Sequence, residues 1–332
     1  MRIGLHDACR AHDPGPAHPD AKGRLEALER ALEDHPSVTW ESPFAARRSA
    51  VEHVHDPAYL DELEAFCADG GGPWDTDTVA SAETWRASLA AAGVAQWVAE
   101  CALEATPGSD TPFGLTRPPG HHAMYDDAMG FCFFNNVALA AETLRRDHGI
   151  GRIAIVDWDV HHANGTEEYV INREDIALIS LHQEHLYPGT GTFSSEIHDL
   201  ALNVPLPSDL GDAGYLRTME EVVEPALTAF EPEAILVSCG FDAHSHDVLA
   251  SQQLSTEGYA LLGDAIKRFA TDLDADLGFV LEGGYAIDVI GSCAVALVDA
   301  FSGSVPERPA ERSNPRLTAA IDQARAHPII GE

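Results

Sequence analysis

Apolar positions along the chain follow two different periods. From Gly23 to His35, Leu25, Leu28 and Leu32 recur at helical spacing, and Asp56-Pro57 opens a second helical stretch with Leu60, Leu63 and Phe66 on one face. A Gly- and Asp-rich stretch from Asp69 to Asp77 leads into an alanine-rich segment, which predicts a helix from about Ala82 to Ala105 stopped by Pro107-Gly108. Its wide apolar face predicts extensive burial. Downstream, short apolar runs alternate with amphipathic ones. They predict strands over Phe113 to Thr116, Arg152 to Val156, Ile176 to Leu181, Ala234 to Ser238 and Leu277 to Leu281. Helices are predicted over Asn135 to His148, Ala213 to Phe230, Thr256 to Asp272 and Asp288 to Phe301. Strands alternating with helices imply an α/β domain whose parallel sheet is covered on both faces. We assign residues 1–303 to one catalytic-sized domain and 304–332 to a peripheral tail, where Pro306, Pro309, Pro315 and Pro328 leave room for one short helix. No internal repeat or low-complexity tract is present.

Charge changes the picture next. The 332 residues carry 54 acidic against 20 basic side chains, a formal charge of −34, and Lys22 and Lys267 are the only lysines. There is no basic block to meet a phosphate backbone or an anionic bilayer, so nucleic acid and membrane surfaces are excluded as direct partners. With 45% hydrophobic residues arranged in blocks, the chain folds rather than staying disordered. Two readings of the acidity remain, a surface for a cationic substrate and a solvated surface for a salt-rich cytosol. The near absence of lysine and the even spread of acidic residues favour the second, as in a halophilic archaeon. No apolar run approaches the roughly 18 residues of a membrane span, and the start Met1-Arg2-Ile3-Gly4-Leu5 lacks a signal-peptide core, which points to the cytoplasm. The six cysteines (Cys9, Cys67, Cys101, Cys132, Cys239, Cys293) form no C-x-x-C pair and read as reduced, mostly buried thiols.

The chemistry-bearing residues cluster immediately after predicted strands. These clusters are Arg117-Pro-Pro-Gly-His121-His122, Asp157-Trp-Asp159-Val-His161-His162, Gly240-Phe-Asp242-Ala-His244 and Glu282-Gly-Gly-Tyr285. Ligands of an open parallel sheet bind beyond the carboxyl ends of its strands, so the clusters should converge. Asp157, Asp159 and His161 alternate and share one side of an extended chain. Capping and loop roles would account for them equally well until Asp242, closing another apolar strand, is added. Asp159, His161 and Asp242 then offer a metal three ligands and an open position, the pattern of a catalytic zinc site. A site without sulfur is less selective, so Fe²⁺ and Co²⁺ stay open. The pair His121-His122, in a loop at a strand end, supplies a candidate base for a metal-activated water.

Together, R-P-P-G-H-H at 117–122, G-F-C-F-F-N-N at 130–136, D-W-D-V-H-H-A-N-G-T at 157–166, G-F-D-A-H at 240–244 and L-E-G-G-Y at 281–285 resemble the histone deacetylase superfamily. The resemblance extends to His12-Asp13, His18-Pro19, Arg24-Leu25 and His55-Asp56-Pro57-Ala58-Tyr59-Leu60. Asn164, where one branch has Asp, makes the chain similar to class II and prokaryotic members. The resemblance implies an arginase–deacetylase fold with a mostly parallel sheet of about eight strands and hydrolysis of an acetylated amine. It implies zinc at Asp159, His161 and Asp242. His122 would be the general base, His121 would position water and stabilise charge, Asp157 would orient His121, and Asn164 would stand behind His122. With Asn there, His122 is biased less towards imidazolium. Tyr285 would donate its hydroxyl to the substrate carbonyl; some relatives have His there and are nearly inactive, and because this sequence keeps Tyr an inactive binding scaffold is disfavoured.

The same resemblance implies a structural K⁺ bound by Asp157, Asp159, Ser180 and the carbonyls of His161 and Leu181. Phe131, beside Gly130, and Tyr187 would line a channel for an alkyl stem, and Asp77 would hold the substrate backbone at the rim. Relatives act either on acetyl-lysine in proteins or on acetylated polyamines. Leu249 stands seven residues beyond Asp242, where polyamine-selective relatives carry Glu, and its apolar side chain favours acetyl-lysine. Asp247 and the overall acidity argue the other way, toward a polycation. The expectation is therefore a zinc-dependent deacetylase of protein acetyl-lysine, with an acetylpolyamine amidohydrolase as the alternative and a catalytically weak acyl-lysine reader as a different class.

Overall fold

The computed structural model describes residues 1–105, 110–193, 198–310 and 313–331, so the expected helix stop Pro107-Gly108 lies outside the described residues. In chain order the strands are β1 (Arg2–Gly4), β2 (Thr39–Glu41), β3 (Gly71–Pro73), β4 (Val79–Ser81), β5 (Pro112–Gly114) and β6 (Ile153–Asp157). They continue with β7 (Ile176–Gln183), β8 (Ala201–Leu206), β9 (Ala234–Cys239) and β10 (Asp276–Leu281). Eight of them form one sheet in the order β2-β1-β5-β10-β9-β6-β7-β8, every pair parallel, while β3 and β4 make a small antiparallel hairpin.

Alternation along the central strands splits the core into two layers. Ala154 and Val156 of β6, with Ala177, Ile179, Ile235 and Val237, pack into one buried cluster. Ile153 and Ile155, with Ile176, Leu178 and Leu236, face the other. Because helices cover both faces, β6, β7 and β9 are buried at every position and each opens with a continuous apolar run of four residues. The alanine-rich helix Thr84–Glu104 is among those coverings, and its small side chains allow it to lie close to the sheet. Helix starts follow the capping signals: Asp56, Asn135 and Ser255 each accept a backbone N–H of the first turn.

Three differences from the sequence reading have physical causes. The helix predicted as continuous over Ala213 to Phe230 runs as Asp212–Thr218, a wider π turn at Met219–Val223, and Glu224–Phe230. Pro225 lacks the N–H that an α-helix would donate to the carbonyl four residues earlier, and the wider turn relieves the clash. The strands β1, β2 and β8 escape pattern recognition because the first two span three residues each, and because β8 carries Asn203 and Pro205, which an edge strand tolerates. The tail expected to be peripheral is anchored. Asn314 caps the helix Pro315–Ala324, and Leu317, Ala320, Ile321 and Ala324, at helical spacing, are buried, three of them within the main core.

The order of the sheet also locates the site. From β6 the chain winds outward through β7 and β8, whereas β9 and β10 lie on the opposite side of β6. The crevice of an open α/β sheet opens at such a reversal, beyond the carboxyl ends of the strands, here those of β6 and β9.

Candidate active site

Asp159 and His161 follow β6 and Asp242 follows β9; Asp157 and Ser238 are Cα partners on those neighbouring strands. The side chains therefore meet without a long reach. His161 Nδ1 lies 3.1 Å from a carboxylate oxygen of both Asp159 and Asp242. Donor atoms of the three residues lie within 4.8 Å of one another, and all three residues are buried. No other group of three or more metal-ligating side chains is found among the described residues.

The surroundings fix these carboxylates rather than neutralise them. Asp242 Oδ1 accepts the Val160 N–H at 2.8 Å, and Asp159 Oδ2 accepts the Gly283 N–H at 2.8 Å. A Cβ on Gly283 would come within 2.1 Å of Asp242 Oδ2, and one on Gly240 within 2.3 Å of Asp159 Oδ2, so both positions require glycine. Burial and the neighbouring Asp159 push the Asp242 carboxyl up to about 7. Burial opposes charge on His161, yet its hydrogen bonds to Asp159 and Asp242 raise it to about 10. The protein alone thus draws a proton into a place where negative charge lacks a cation. One imidazole, two carboxylates and this uncompensated charge fit a divalent metal.

Two histidines beside this group are tuned apart. His121 Nδ1 is 3.0 Å from Asp157 Oδ2, and although burial would lower its pKa, Asp159 and Asp157 hold it well above the usual imidazole value. His122 Nδ1 is 2.7 Å from Asn164 Oδ1, while burial and the positive charges of His121 and His161 keep it well below that value. The Asn164 amide nitrogen faces the sulfurs of Met124 and Met129 at 3.0 and 3.3 Å, which sets its oxygen toward His122. The His122 proton accordingly sits on Nδ1, and Nε2 keeps a free lone pair.

A cavity of about 150 Å³ lies over these groups. His122, His161 and Tyr285 line it together with Gly130, Phe131 and Tyr187, and Asp77 and Leu249 complete its wall. The Tyr187 ring stands edge-on to His122 at 5.1 Å, and the Phe131 ring edge-on to Tyr285 at 5.6 Å. Gly130 adopts a positive φ of 56°, and a Cβ there would strike the His122 ring at 2.4 Å. Burial holds the Tyr285 hydroxyl well above its ordinary pKa, so it remains a donor. A larger groove of about 900 Å³ near Phe44, Trp97 and Arg146 contains none of these residues. Behind the metal group, Ser180 and Leu181 are buried in β7; Ser180 is the Cα partner of Asp157 and its hydroxyl contacts His182 Nδ1 at 3.0 Å.

Several residues without a role in the sequence reading hold this arrangement. Arg24 donates from Nε to the Gly284 carbonyl at 2.7 Å, pairs with Asp20 at 2.6 Å, and lies over the Tyr285 ring at 4.8 Å. Arg117 joins Asp20 to the carbonyls of Cys9 and His12. Glu282 Oε2 accepts the N–H groups of Gly120 and His121 at 2.7 and 3.1 Å, tying β10 to the histidine loop. Their only sequence signal was membership of the quoted motifs. Asp247 corrects an expectation: it is 7% exposed and its carboxylate is engaged by backbone N–H groups, so it offers no surface charge to a polycation.

Comparison with known proteins follows the same lines. The histone deacetylase domain family matches residues 18–301. The chain is 36% identical over 318 residues to "Histone deacetylase 14, chloroplastic" of Arabidopsis thaliana, covering 88% of this chain and 74% of the relative. It is 35% identical over 294 residues to the "Histone deacetylase-like amidohydrolase" of Pseudomonas aeruginosa, covering 86% and 76%. The crystal structure of an HDA15 HD domain superposes with a TM-score of 0.87 at 27% identity, covering 99% of this chain and 96% of that one.

Proposed function

The chain belongs to the histone deacetylase family and is a deacetylase, and on that premise we propose that it is a zinc-dependent hydrolase of N-ε-acetyl-lysine in proteins. The observation that carries this reading is one narrow cavity lined by His161 of the Asp159, His161 and Asp242 group together with a neutral His122 and Tyr285. Bound at that group, zinc would polarise the acetyl carbonyl and acidify an attacking water.

The chain's own residues supply the rest. His122 Nε2 takes the proton of the attacking water and returns it to the departing amine, while Asn164 keeps the other ring nitrogen protonated. His121, held as imidazolium by Asp157 and Asp159, sits beside the negative charge that develops. Tyr285 donates its hydroxyl to the carbonyl oxygen, a bond that strengthens as charge builds there. Phe131 and Tyr187 flank the aliphatic stem, excluding water from it, and Asp77 accepts from the substrate backbone at the rim. Potassium held by Asp157, Asp159, Ser180 and the His161 and Leu181 carbonyls would brace the loop after β6. Leu249, apolar at the mouth, supports acetyl-lysine over an acetylated polyamine, whose distal ammonium it does not receive. No helix among the described residues is long and apolar enough to cross a membrane; a salt-rich cytosol suits the charge of −34.

The test is turnover of an acetyl-lysine peptide and of acetylspermidine in concentrated KCl, by protein stripped with a chelator and then reloaded. Activity on the peptide, lost on stripping and restored by Zn²⁺, is expected. Absence of turnover in the reloaded protein, or undiminished turnover after His122→Ala, refutes the reading. Preference for acetylspermidine selects the polyamine alternative.

A further inference from the structure

The loops after β9 and β10 each contribute one residue to the cavity wall, Leu249 and Tyr285, and a single buried carboxylate joins them. Asp247 Oδ1 accepts the Leu249 N–H at 3.0 Å. Its Oδ2 accepts the Tyr285 N–H at 2.6 Å and the Ala286 N–H at 3.2 Å. The carboxylate lies outside the metal group. Burying such a charge is costly, and here three backbone dipoles from two loops receive it. Two equivalent acceptor oxygens are what this geometry requires, since a side-chain amide has one acceptor and would turn its NH₂ toward a backbone N–H. The loop uses the restraint: Gly284, just before Tyr285, adopts a φ of 118° open to glycine's wide conformational range, and Arg24 donates to the carbonyls of Glu282 and Gly284 and lies over the Tyr285 ring, which leaves the Tyr285 and Ala286 N–H groups to Asp247.

We propose that Asp247 is a positioning residue that locks Tyr285 and Leu249 in register across the cavity, so that one carboxylate sets both the placement of the tyrosine hydroxyl and the width of the mouth. The kinetic part of this proposal rests on the role given to Tyr285 above. Loss of the clamp lowers kcat through Tyr285 and raises KM through Leu249.

The experiment uses the metal-loaded full chain. Asp247→Asn, which keeps size and shape, lowers kcat by about tenfold or more, short of the roughly 100-fold loss set by Tyr285→Phe. In a Tyr285→Phe background the same substitution leaves kcat unchanged but still raises KM, a non-additivity that general destabilisation would not produce. Independently of turnover, fluorotyrosine labelling of the seven tyrosines reports the loop by ¹⁹F NMR, with the Tyr285 line identified by its loss in Tyr285→Phe. That line shifts or broadens in Asp247→Asn while the others hold. An unchanged Tyr285 line in the folded variant, or an equal fall of kcat in both backgrounds, overturns the proposal. Should the variants not fold, amide exchange of the unaltered protein decides: the Leu249, Tyr285 and Ala286 amides exchange slowly if Asp247 holds them, and exchange at solvent rates refutes the clamp. A protein that hydrolyses no acetyl-lysine amide fails the functional reading, while the fluorine spectrum and amide exchange still judge the clamp.

Discussion

Replacing Asn164 by Asp places a negative charge against His122 where an amide oxygen now lies 2.7 Å from Nδ1. The unaltered ring is held neutral chiefly by burial and then by the positive charge of His121, which suits a base that must accept a proton. Charges about 4 Å apart attract by ~4 kcal/mol at the effective dielectric of a protein surface and ~1 kcal/mol in water. Asn164 is half-buried, between these limits, so the His122 pKa rises by about 1–3. A raised pKa means that the base stays protonated to higher pH. The acid limb of kcat/KM for the metal-loaded enzyme therefore moves to higher pH by about the same 1–3. At a fixed pH on that limb, activity falls by about tenfold for each whole step in pH that the limb moves, while the high-pH plateau changes less. The substitution also turns a carboxylate oxygen toward the Met124 and Met129 sulfurs that now receive the amide protons, which costs roughly 1–3 kcal/mol of stability. The assay is a pH profile of kcat/KM on an acetyl-lysine peptide, with thermal unfolding measured in parallel. An acid limb that does not move, or moves down, would show that His122 is not the titrating base.

Three further outcomes follow from the same site. Tyr285→Phe lowers kcat by about 100-fold or more with little change in Tm, because only the hydroxyl of a cavity-lining residue is removed and its ring stays; a change confined to KM would refute its role as donor. Zn²⁺ binding near neutral pH releases at least one proton, since His161 is raised to about 10 in the metal-free protein and must be neutral to coordinate. Titration calorimetry in buffers of different ionisation enthalpy detects this, and heats independent of buffer contradict it. In metal-free protein, Glu282→Gln gains stability relative to the unaltered chain as pH rises from about 5 to 8: burial pushes Glu282 up to about 8, so the folded state binds the extra proton and loses roughly 1.4 kcal/mol per pH unit in that window. Parallel unfolding curves at both ends of the range would refute it.

What the chain displayed and what it concealed divide by the range of the interaction. The metal group was legible because Asp159 and Asp242 follow the apolar strands β6 and β9 within a few residues, and the sheet order makes those strand ends neighbours. The alternation of Asp157, Asp159 and His161 told which side chains share a side, but only the folded loop sends Asp157 to His121 and the other two to Asp242. Residues acting on backbone across long separations left no such trace. Arg24 reaches the Gly284 carbonyl 260 positions away, and Glu282 reaches the Gly120 N–H across 162. A side chain that grips a backbone N–H or carbonyl has a partner whose identity is invisible, since every residue but proline offers the same groups. Asp247 was misread for that reason: with three N–H groups as its partners, it looked in the sequence like one more acidic residue in a chain that has 54 of them. In so acidic a protein, composition separates structural from solvated carboxylates poorly, and burial separates them well. Asp157, Asp159, Asp242, Asp247 and Glu282 all lie within 7% exposure around one crevice. Each is either part of the metal group or engaged by a donor, and the fold thereby turns a handful of surplus acidic side chains into the framework of the site.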